Sequence, residues 1–208
     1  MVVHLVANQG TGVRFPLPAQ MKSLLIFIFL VVLIGTGLYF YYRNSPYSTG
    51  VKRTLFGKLE SMTISSTSFS NQGEIPKKYT CDDANVNPPL TFNAIPPSSR
   101  SLLIIAEDKD SNPKDFTHWT IFDLNPFING LSENSVPDQA TEGVNSFGNI
   151  GYDGPCPPSG TTHHYVFKLF ALDSILGLER GVKKEEILSK IQGHILDEAE
   201  LVGSYKKE

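Results

Sequence analysis

The sequence predicts a mainly β domain, an antiparallel sandwich of two sheets with a few short helices, preceded by one apolar N-terminal helix. Three observations lead to this prediction. Apolar residues alternate over short segments in the last two thirds of the chain, Pro- and Gly-rich connections separate those segments, and helical spacing occurs only near the C-terminus. A length of 208 residues with 40% hydrophobic content fits one globular domain with an appendage.

The N-terminal part contains the one long apolar stretch. Residues 24–42 are nineteen residues without a charge, and a helix rising about 1.5 Å per residue would span the hydrocarbon core of a bilayer with that length. We interpret residues 21–43 as a transmembrane anchor or a signal segment. We favour the anchor, because only Gly35 and Gly37 approach a small-x-small cleavage site, and they lie inside the apolar run.

Two further segments complete the domain prediction. Residues 1–20 form an N-terminal extension with no assigned role, because Met21 followed by Lys22 is typical of a natural start. Residues 44–61 read as a polar, basic stem, and residues 62–208 as the folded domain.

Charge is divided unevenly along the chain. Residues 1–61 hold six basic groups and one acidic group, a net charge of +5, whereas residues 62–208 hold twelve against twenty, a net charge of -8. An acidic body argues against nucleic acid as a partner, and a basic stem suits an anionic membrane surface. We expect a membrane-anchored protein with an extracytoplasmic body. A secreted or cytoplasm-facing body is the alternative, since basic groups after the apolar stretch favour the cytoplasm.

The folded body reads as a series of strands. The segments MTISSTSF, LTFNAIP and HWTIFDL alternate, and IPKKYT is short and led by a proline. Two segments are apolar on both faces, SLLIIAED at 101–108 and HHYVFKLFAL at 163–172, and these are the predicted central strands.

Helical spacing appears only in KKEEILSKIQGHIL, where Ile187, Leu188, Ile191, Ile195 and Leu196 follow the i, i+3, i+4 rule. Gly193 interrupts this pattern. The final AELVGSYKK predicts a short returning strand.

Two cysteines leave two interpretations open. Cys81 and Cys156 are the only two in the chain. In an exported domain they would close one disulfide, whereas in a reducing compartment they would pack as two small hydrophobic side chains.

Strand alternation brings several polar side chains to one edge of the predicted sheet. Asp108 ends an apolar stripe, His118 opens the next strand with Trp119 on the opposite face, and His163 and Tyr165 share a face at the start of a later strand. If these strands pair antiparallel, the four side chains converge. The loop at 154–160, rich in Pro and Gly, would then form a stiff wall able to hold an anion.

Other chemistry is less well supported by the sequence. A single His at a strand end is more often hydrogen-bonded or solvated than part of a binding site, although the pairing with Asp108 favours a site. His163 and His164 point to opposite faces, so no metal is expected. Cys156 is flanked by prolines with no helix start to lower its thiol pKa, and neither a GxSxG turn nor a nucleotide-binding Gly motif occurs. We therefore predict a protein that is not an enzyme and has no cofactor.

Four segments resemble the phosphatidylethanolamine-binding protein family, in particular its bacterial and archaeal Raf-kinase-inhibitor-like members. The family's DPDxP stretch, with the His-led strand that follows it, is similar to DKDSNPKDFTHWTIFDLN. The family's GxxGPxPPxGxHRYxF segment is similar to GYDGPCPPSGTTHHYVFKLFALD. NVNPPLTFNAIP and the ending GHILDEAELVGSYKK also match. The resemblance covers about residues 62–207.

The resemblance implies a fold of two antiparallel sheets with a small surface pocket for phosphate-type anions such as phospholipid headgroups. By matching positions, the ligand-binding residues would be Asp108, Asp110, His118, Gly154, Pro157, Pro158, His163 and Tyr165. Two positions depart from the family pattern: Lys109 replaces the usual Pro of DPD, and His164 replaces the usual Arg of HRY. These departures bear on headgroup preference.

The expected function is a membrane-tethered binding protein for such an anion. Imidazoles near carboxylates hold their protons to higher pH and can donate to phosphate oxygens, so binding is expected to tighten as pH falls from about 8 to about 6. The alternative is regulation or inhibition of a partner kinase or protease through the rim of the pocket, which the resemblance also implies.

Overall fold

The computed structural model describes residues 19–44 and 60–208, and the chain divides into two units between Leu59 and Glu60. In the first unit, helix α1 spans Ala19–Asn44. No helix in the described parts of the chain combines the length and the hydropathy that crossing a membrane requires, so the predicted transmembrane segment is not confirmed. The predicted extension and stem lie outside the described residues except at their edges.

The second unit contains nine strands and two short helical segments in its described residues. The order along the chain is β1 (Thr63–Ser65), β2 (Gly73–Glu74), a 3-10 helix (Lys77–Tyr79), β3 (Leu90–Asn93), β4 (Ser101–Asp108), β5 (Phe116–Leu124), β6 (Gly130–Leu131), β7 (Thr141–Glu142), β8 (Thr162–Leu172), α2 (Lys184–Lys190) and β9 (Ile195–Lys206).

These strands form two sheets. Six strands pair in the order β2-β9-β8-β4-β5-β7, and three pair in the order β1-β3-β6. Strand pairs are antiparallel except β2 with β9, which run parallel. The predicted mainly β fold with two sheets and few helices is confirmed, and β4 and β8 are the central strands, as predicted.

The large sheet is covered on both faces. On one face Leu102, Ile104 and Ala106 of β4 pack with residues of β8 and of the small sheet. On the other face Leu103 and Ile105 pack against α2. Every residue of β4 is buried, which explains its uninterrupted apolar run, since each large side chain removed from water contributes about 1.5–3 kcal/mol.

Two local predictions are wrong. IPKKYT forms a 3-10 turn instead of a strand, because the carbonyl of Pro76 accepts a hydrogen bond from the N–H of Tyr79. The C-terminal helix ends at Lys190, and Gly193 adopts a φ of +80° that breaks the helical path. Ile195 therefore begins a strand of 12 residues, longer than predicted, which pairs along β8.

A β-bulge in β5 changes the direction of the side chains at the edge of the sheet. Ala106 pairs with Trp119 and Glu107 pairs with Thr117, so His118 is an extra residue in β5. Simple alternation predicted that His118 and Trp119 face opposite sides. In the structure Trp119 packs in the same core cluster as Tyr165, and His118 contacts the Tyr165 ring. The bulge therefore brings both side chains to one face.

Candidate functional site

A carboxylate–imidazole cluster, formed by Asp108, His118, His163 and Tyr165, lies where β4 ends and β8 begins. Asp108 is the register partner of Tyr165, so antiparallel pairing brings these two side chains together on one face. His163 Nδ1 lies 2.7 Å from Asp108 Oδ2, and the two side chains are 15% and 7% exposed. The predicted convergence of these residues is present.

Both carboxylate oxygens of Asp108 are already engaged. Oδ2 accepts from His163 Nδ1, and Oδ1 accepts from the backbone N–H of Asp110 at 2.8 Å. Since the carboxylate only accepts, His163 carries its hydrogen on Nδ1, which leaves Nε2 as the other polar atom of the ring. These two hydrogen bonds offset part of the negative charge that would otherwise repel an anion.

His118 is buried in an aromatic enclosure. The rings of Phe116, Phe147 and Tyr165 lie 5.1–5.5 Å from its ring centroid, and His118 is 3% exposed. Its Nδ1 lies 2.7 Å from the backbone oxygen of Asp153. Because a carbonyl oxygen only accepts, Nδ1 donates to it.

The protonation expected for His118 from the sequence is wrong. Burial lowers the pKa of this imidazole below its ordinary value, and this effect outweighs the hydrogen bond to Asp153 and the charge of Asp108, both of which raise the pKa. Neutral His118 donates at Nδ1 and presents Nε2 as an acceptor. It is therefore not the donor to an anion that the sequence predicted.

The Tyr165 hydroxyl is buried, with the residue 2% exposed, and it has no hydrogen-bond partner among residues 19–44 and 60–208. The backbone N–H of Cys156 and the carboxylate of Asp108 face it, but neither is in hydrogen-bond geometry. Burial first, and the charge of Asp108 second, raise the pKa of Tyr165, so the phenol keeps its hydrogen. The hydroxyl is thus a donor whose hydrogen is not used among the described residues, and a ligand can reach it only when the side chains around it move, since its oxygen has almost no exposed surface.

Asp110 lies at the margin of the cluster. Its Oδ2 accepts from the backbone N–H of His164 at 2.8 Å and lies 2.7 Å from His164 Nδ1. The hydrogen bond from His164 lowers the pKa of Asp110. Both side chains are about half exposed, so the residue that replaces the family's usual Arg holds Asp110 at the surface. Lys109 is also exposed and lies 3.8 Å from Glu200.

The wall loop, residues 154–160, approaches the backbone of Tyr79 closely at Gly154. A Cβ at Gly154 would lie 2.1 Å from the backbone oxygen of Tyr79, so only glycine fits there. Pro157 is buried beside it, whereas Pro158 is exposed. The loop thus packs directly against the 3-10 helix.

The wall loop offers fewer backbone donors than the sequence suggested. The N–H of Gly154 donates to Asn85 Oδ1 at 2.7 Å, and the N–H of Gly160 donates to the backbone of Lys207. Prolines carry no N–H. The backbone N–H of Cys156, which faces the Tyr165 hydroxyl, is the donor of this loop that lies beside the cluster.

Cys81 and Cys156 are joined in a disulfide with an S–S distance of 2.07 Å and a separation of 75 residues. The bond connects the wall loop to the segment after the 3-10 helix, where the backbone N–H of Cys81 also donates to Pro155. Of the two interpretations of the cysteines, the structure has the disulfide. A bonded Cys156 is not a nucleophile.

Sequence reasoning missed a network of amides that positions the Asp153 carbonyl. The Asp153 carboxylate accepts from Asn145 at 2.7 Å, Asn149 at 2.9 Å and Asn85 at 3.1 Å. Asn85 is 68 residues distant in the chain, and no sequence pattern pairs it with Asp153. The one available signal was the polar composition of NSFGNIGYDG before the wall loop.

A second feature lies at the opposite end of β4. There a cavity of about 570 Å³ is lined by Arg100, Asp123, Phe127 and Ile175, among others, and includes none of the predicted site residues. Within residues 19–44 and 60–208, no group of three His, Cys, Asp or Glu side chains is arranged to hold a metal ion.

The two-sheet fold with a buried polar cluster at one edge defines a β-rich ligand-binding domain. The family model for phosphatidylethanolamine-binding protein matches residues 65–206. The chain belongs to this family.

Relatives and solved structures agree with the assignment. A UPF0098 protein of Methanothermobacter thermautotrophicus is 44% identical over 151 residues, which cover 70% of this chain and 99% of the relative. The phosphatidylethanolamine-binding protein homologue CT736 from Chlamydia trachomatis has a TM-score of 0.68 and 39% identity, covering 71% of this chain and 99% of its own. Escherichia coli YbcL shares the fold, with a TM-score of 0.67 and 22% identity. The match covers 71% of this chain and 99% of YbcL.

Proposed function

We propose that this protein binds a small phosphate-type anion, such as inorganic phosphate or a phosphorylated headgroup, at the carboxylate–imidazole cluster. Membership in the family supports ligand binding in general. The anionic class of the ligand is our inference from the hydrogen-bond donors that the cluster leaves without partners.

One observation carries the proposal, namely the unpartnered Tyr165 hydroxyl beside the Cys156 N–H. A buried polar group without a hydrogen bond costs about 1–3 kcal/mol. A ligand oxygen between these two donors would remove that cost for the hydroxyl. A donor without a partner favours an acceptor-rich ligand, and a phosphate presents several oxygens in a compact form.

The charge of the cluster is compatible with an anion. Asp108 already accepts two hydrogen bonds, and when His163 is protonated its Nε2 becomes a third donor with a positive charge. The wall loop holds Cys156 in place without a ligand, which lowers the entropy cost of binding.

Calorimetric titration of the full chain with inorganic phosphate tests the proposal. We expect Tyr165→Phe to weaken phosphate binding about tenfold or more, since a hydrogen bond to a charged group contributes about 1.5–3 kcal/mol. The matched control is Tyr79→Phe, whose hydroxyl bonds to Ser68 and Glu133 away from the cluster. Equal phosphate affinity of Tyr165→Phe and the wild type would place the ligand elsewhere.

Membrane attachment through residues 24–42 remains a prediction from the sequence. It depends on the nineteen uncharged residues of that stretch. Extraction of membranes with alkaline carbonate would test it, because an anchored chain stays with the lipid and a peripheral chain is released. An extracytoplasmic body and a partner kinase or protease are likewise predictions without a supporting contact in the described residues.

A further inference from the structure

We infer that His118 selects the form of the anion, and that the site binds a phosphate that carries a hydrogen in preference to an anion without one. The inference rests on the proposed function and names its ligand more closely. The preferred ligands are inorganic phosphate and phosphate monoesters, whose P–OH group would donate to His118 Nε2. Sulfate and phosphodiesters have no such hydrogen.

The hydrogen bond of His118 has a defined direction. Nδ1 is 2.7 Å from the Asp153 carbonyl, which can only accept, so the ring hydrogen is on Nδ1. Among the described residues, the hydrogen bond to the Asp153 carbonyl is made by Nδ1, and the backbone carbonyl of Gly154 also lies near the ring. His118 Nε2 is not among the fully buried polar atoms without partners. The small exposed part of His118 therefore includes Nε2, which is open to a ligand as an acceptor.

The acceptor role of Nε2 is fixed. To donate from Nε2, a neutral ring would have to give up its hydrogen bond to Asp153 and leave a buried carbonyl unpaired. Asn145, Asn149 and Asn85 hold the Asp153 carboxylate in place, so this carbonyl cannot easily move away. Burial, which lowers the pKa of His118, opposes the alternative of a charged ring.

Several other groups face His118. Asp108 and Asp153 supply negative charge, and the backbone carbonyl of Gly154 is a further acceptor near the ring. Tyr165 contributes a neutral phenol, and His163 lies beyond Asp108. None of them changes which atom of His118 carries the hydrogen. An anion oxygen without a hydrogen would place its lone pairs against those of Nε2, and such a mismatch in a buried site reduces affinity strongly.

The ligand's own titration gives the inference a measurable signature. Phosphate esters lose their last hydrogen at about pH 6, whereas sulfate and dimethyl phosphate carry none over the range from about pH 5.5 to about pH 8. A positive charge near the cluster acts on every anion. The ratio of phosphate to sulfate affinity reports the P–OH group together with a difference in charge. The ratio of methyl phosphate to dimethyl phosphate, both singly charged at about pH 5.5, isolates the contribution of the P–OH group.

The experiment is calorimetric titration of the full chain with inorganic phosphate, methyl phosphate, dimethyl phosphate and sulfate at both pH values. At about pH 5.5 we expect the first two to bind about tenfold or more tightly than the last two. Toward about pH 8 methyl phosphate should lose this advantage, whereas inorganic phosphate, which keeps one hydrogen as HPO4²⁻, should retain it. The dimethyl phosphate arm separates a free phosphate or monoester from a phospholipid diester. Equal affinities for all four would overturn the inference but keep the proposed function, whereas no binding of any anion would overturn both.

A variant and a spectrum complete the test. His118→Phe keeps the aromatic volume without a ring nitrogen, and we expect it to bring the ratio of methyl phosphate to dimethyl phosphate affinity close to one. His194→Phe, which removes an exposed imidazole paired with Asp173, is the control and should keep the ratio. Nitrogen-15 spectra of the wild type should show His118 with hydrogen on Nδ1 and none on Nε2. A charged imidazolium at His118 in the phosphate complex would overturn the inference. This measurement needs only the wild type, so it decides the question even if His118→Phe fails to fold.

Discussion

Replacement of Tyr165 by Phe should stabilise the protein when no ligand is present. The hydroxyl is buried and has no partner, so its removal relieves a desolvation cost of about 1–3 kcal/mol while the ring keeps its packing. We expect the free energy of unfolding to rise by about 1 kcal/mol or more. For a domain of about 150 residues, this corresponds to an increase in Tm of about 2–4 °C.

The matched control is Tyr79→Phe. Tyr79 is as buried as Tyr165, but its hydroxyl lies 2.8 Å from Ser68 Oγ and 2.7 Å from Glu133. Loss of a hydrogen bond to a carboxylate should lower the free energy of unfolding by about 1.5–3 kcal/mol. The two variants differ from the wild type by the same atom, so opposite signs are expected from the same chemical change.

The assay is urea unfolding of the full chain in phosphate-free buffer, followed by the fluorescence of the buried Trp119. Added phosphate at about 100 times its Kd should stabilise the wild type by about 2.7 kcal/mol, and Tyr165→Phe by much less. If Tyr165→Phe loses as much stability as Tyr79→Phe without ligand, the hydroxyl has a partner in the free protein and the reasoning is wrong.

Two further predictions concern stability. Burial raises the pKa of Glu107, but the hydrogen bonds and charges of Lys184 and Lys168 together outweigh burial and lower the pKa below 4.5. The stability that Glu107 contributes is therefore present above about pH 4.5 and lost as pH falls through the lower folded pKa. Glu107→Gln should cost about 3 kcal/mol near neutral pH and flatten the acid limb of a stability profile, and an unchanged limb would contradict this. Replacement of both Cys81 and Cys156 by Ser should lower the free energy of unfolding by about 4 kcal/mol, by the chain-entropy relation for a loop of 75 residues. A urea midpoint equal to that of the wild type would contradict this prediction.

Part of the candidate site could be predicted because it depends on local pattern and one strand pairing. The uninterrupted apolar run from Leu102 to Ala106 identified a central strand, and alternation placed Asp108 on the apolar face. Antiparallel pairing then brought Tyr165 opposite Asp108. Such inferences succeed where both faces of a strand are buried, since burial fixes the register strongly.

The rest depends on contacts that leave no mark in the local sequence. The bulge at His118 arises from the pairing of β5 with β4, and it reverses the alternation that the sequence suggested for Trp119. The Asp153 network joins residues 68 positions apart. The protonation of His118 was mispredicted for the same reason, because the degree of its burial follows from three rings contributed by separate elements.

The most direct test of anion binding at this cluster is a crystal structure of the full chain with inorganic phosphate at mildly acidic pH. We predict a phosphate with one oxygen about 2.6–3.0 Å from the Tyr165 hydroxyl and another oxygen near His118 Nε2. A phosphate found only in the cavity beside Arg100, or an empty cluster at a saturating phosphate concentration, would contradict the account.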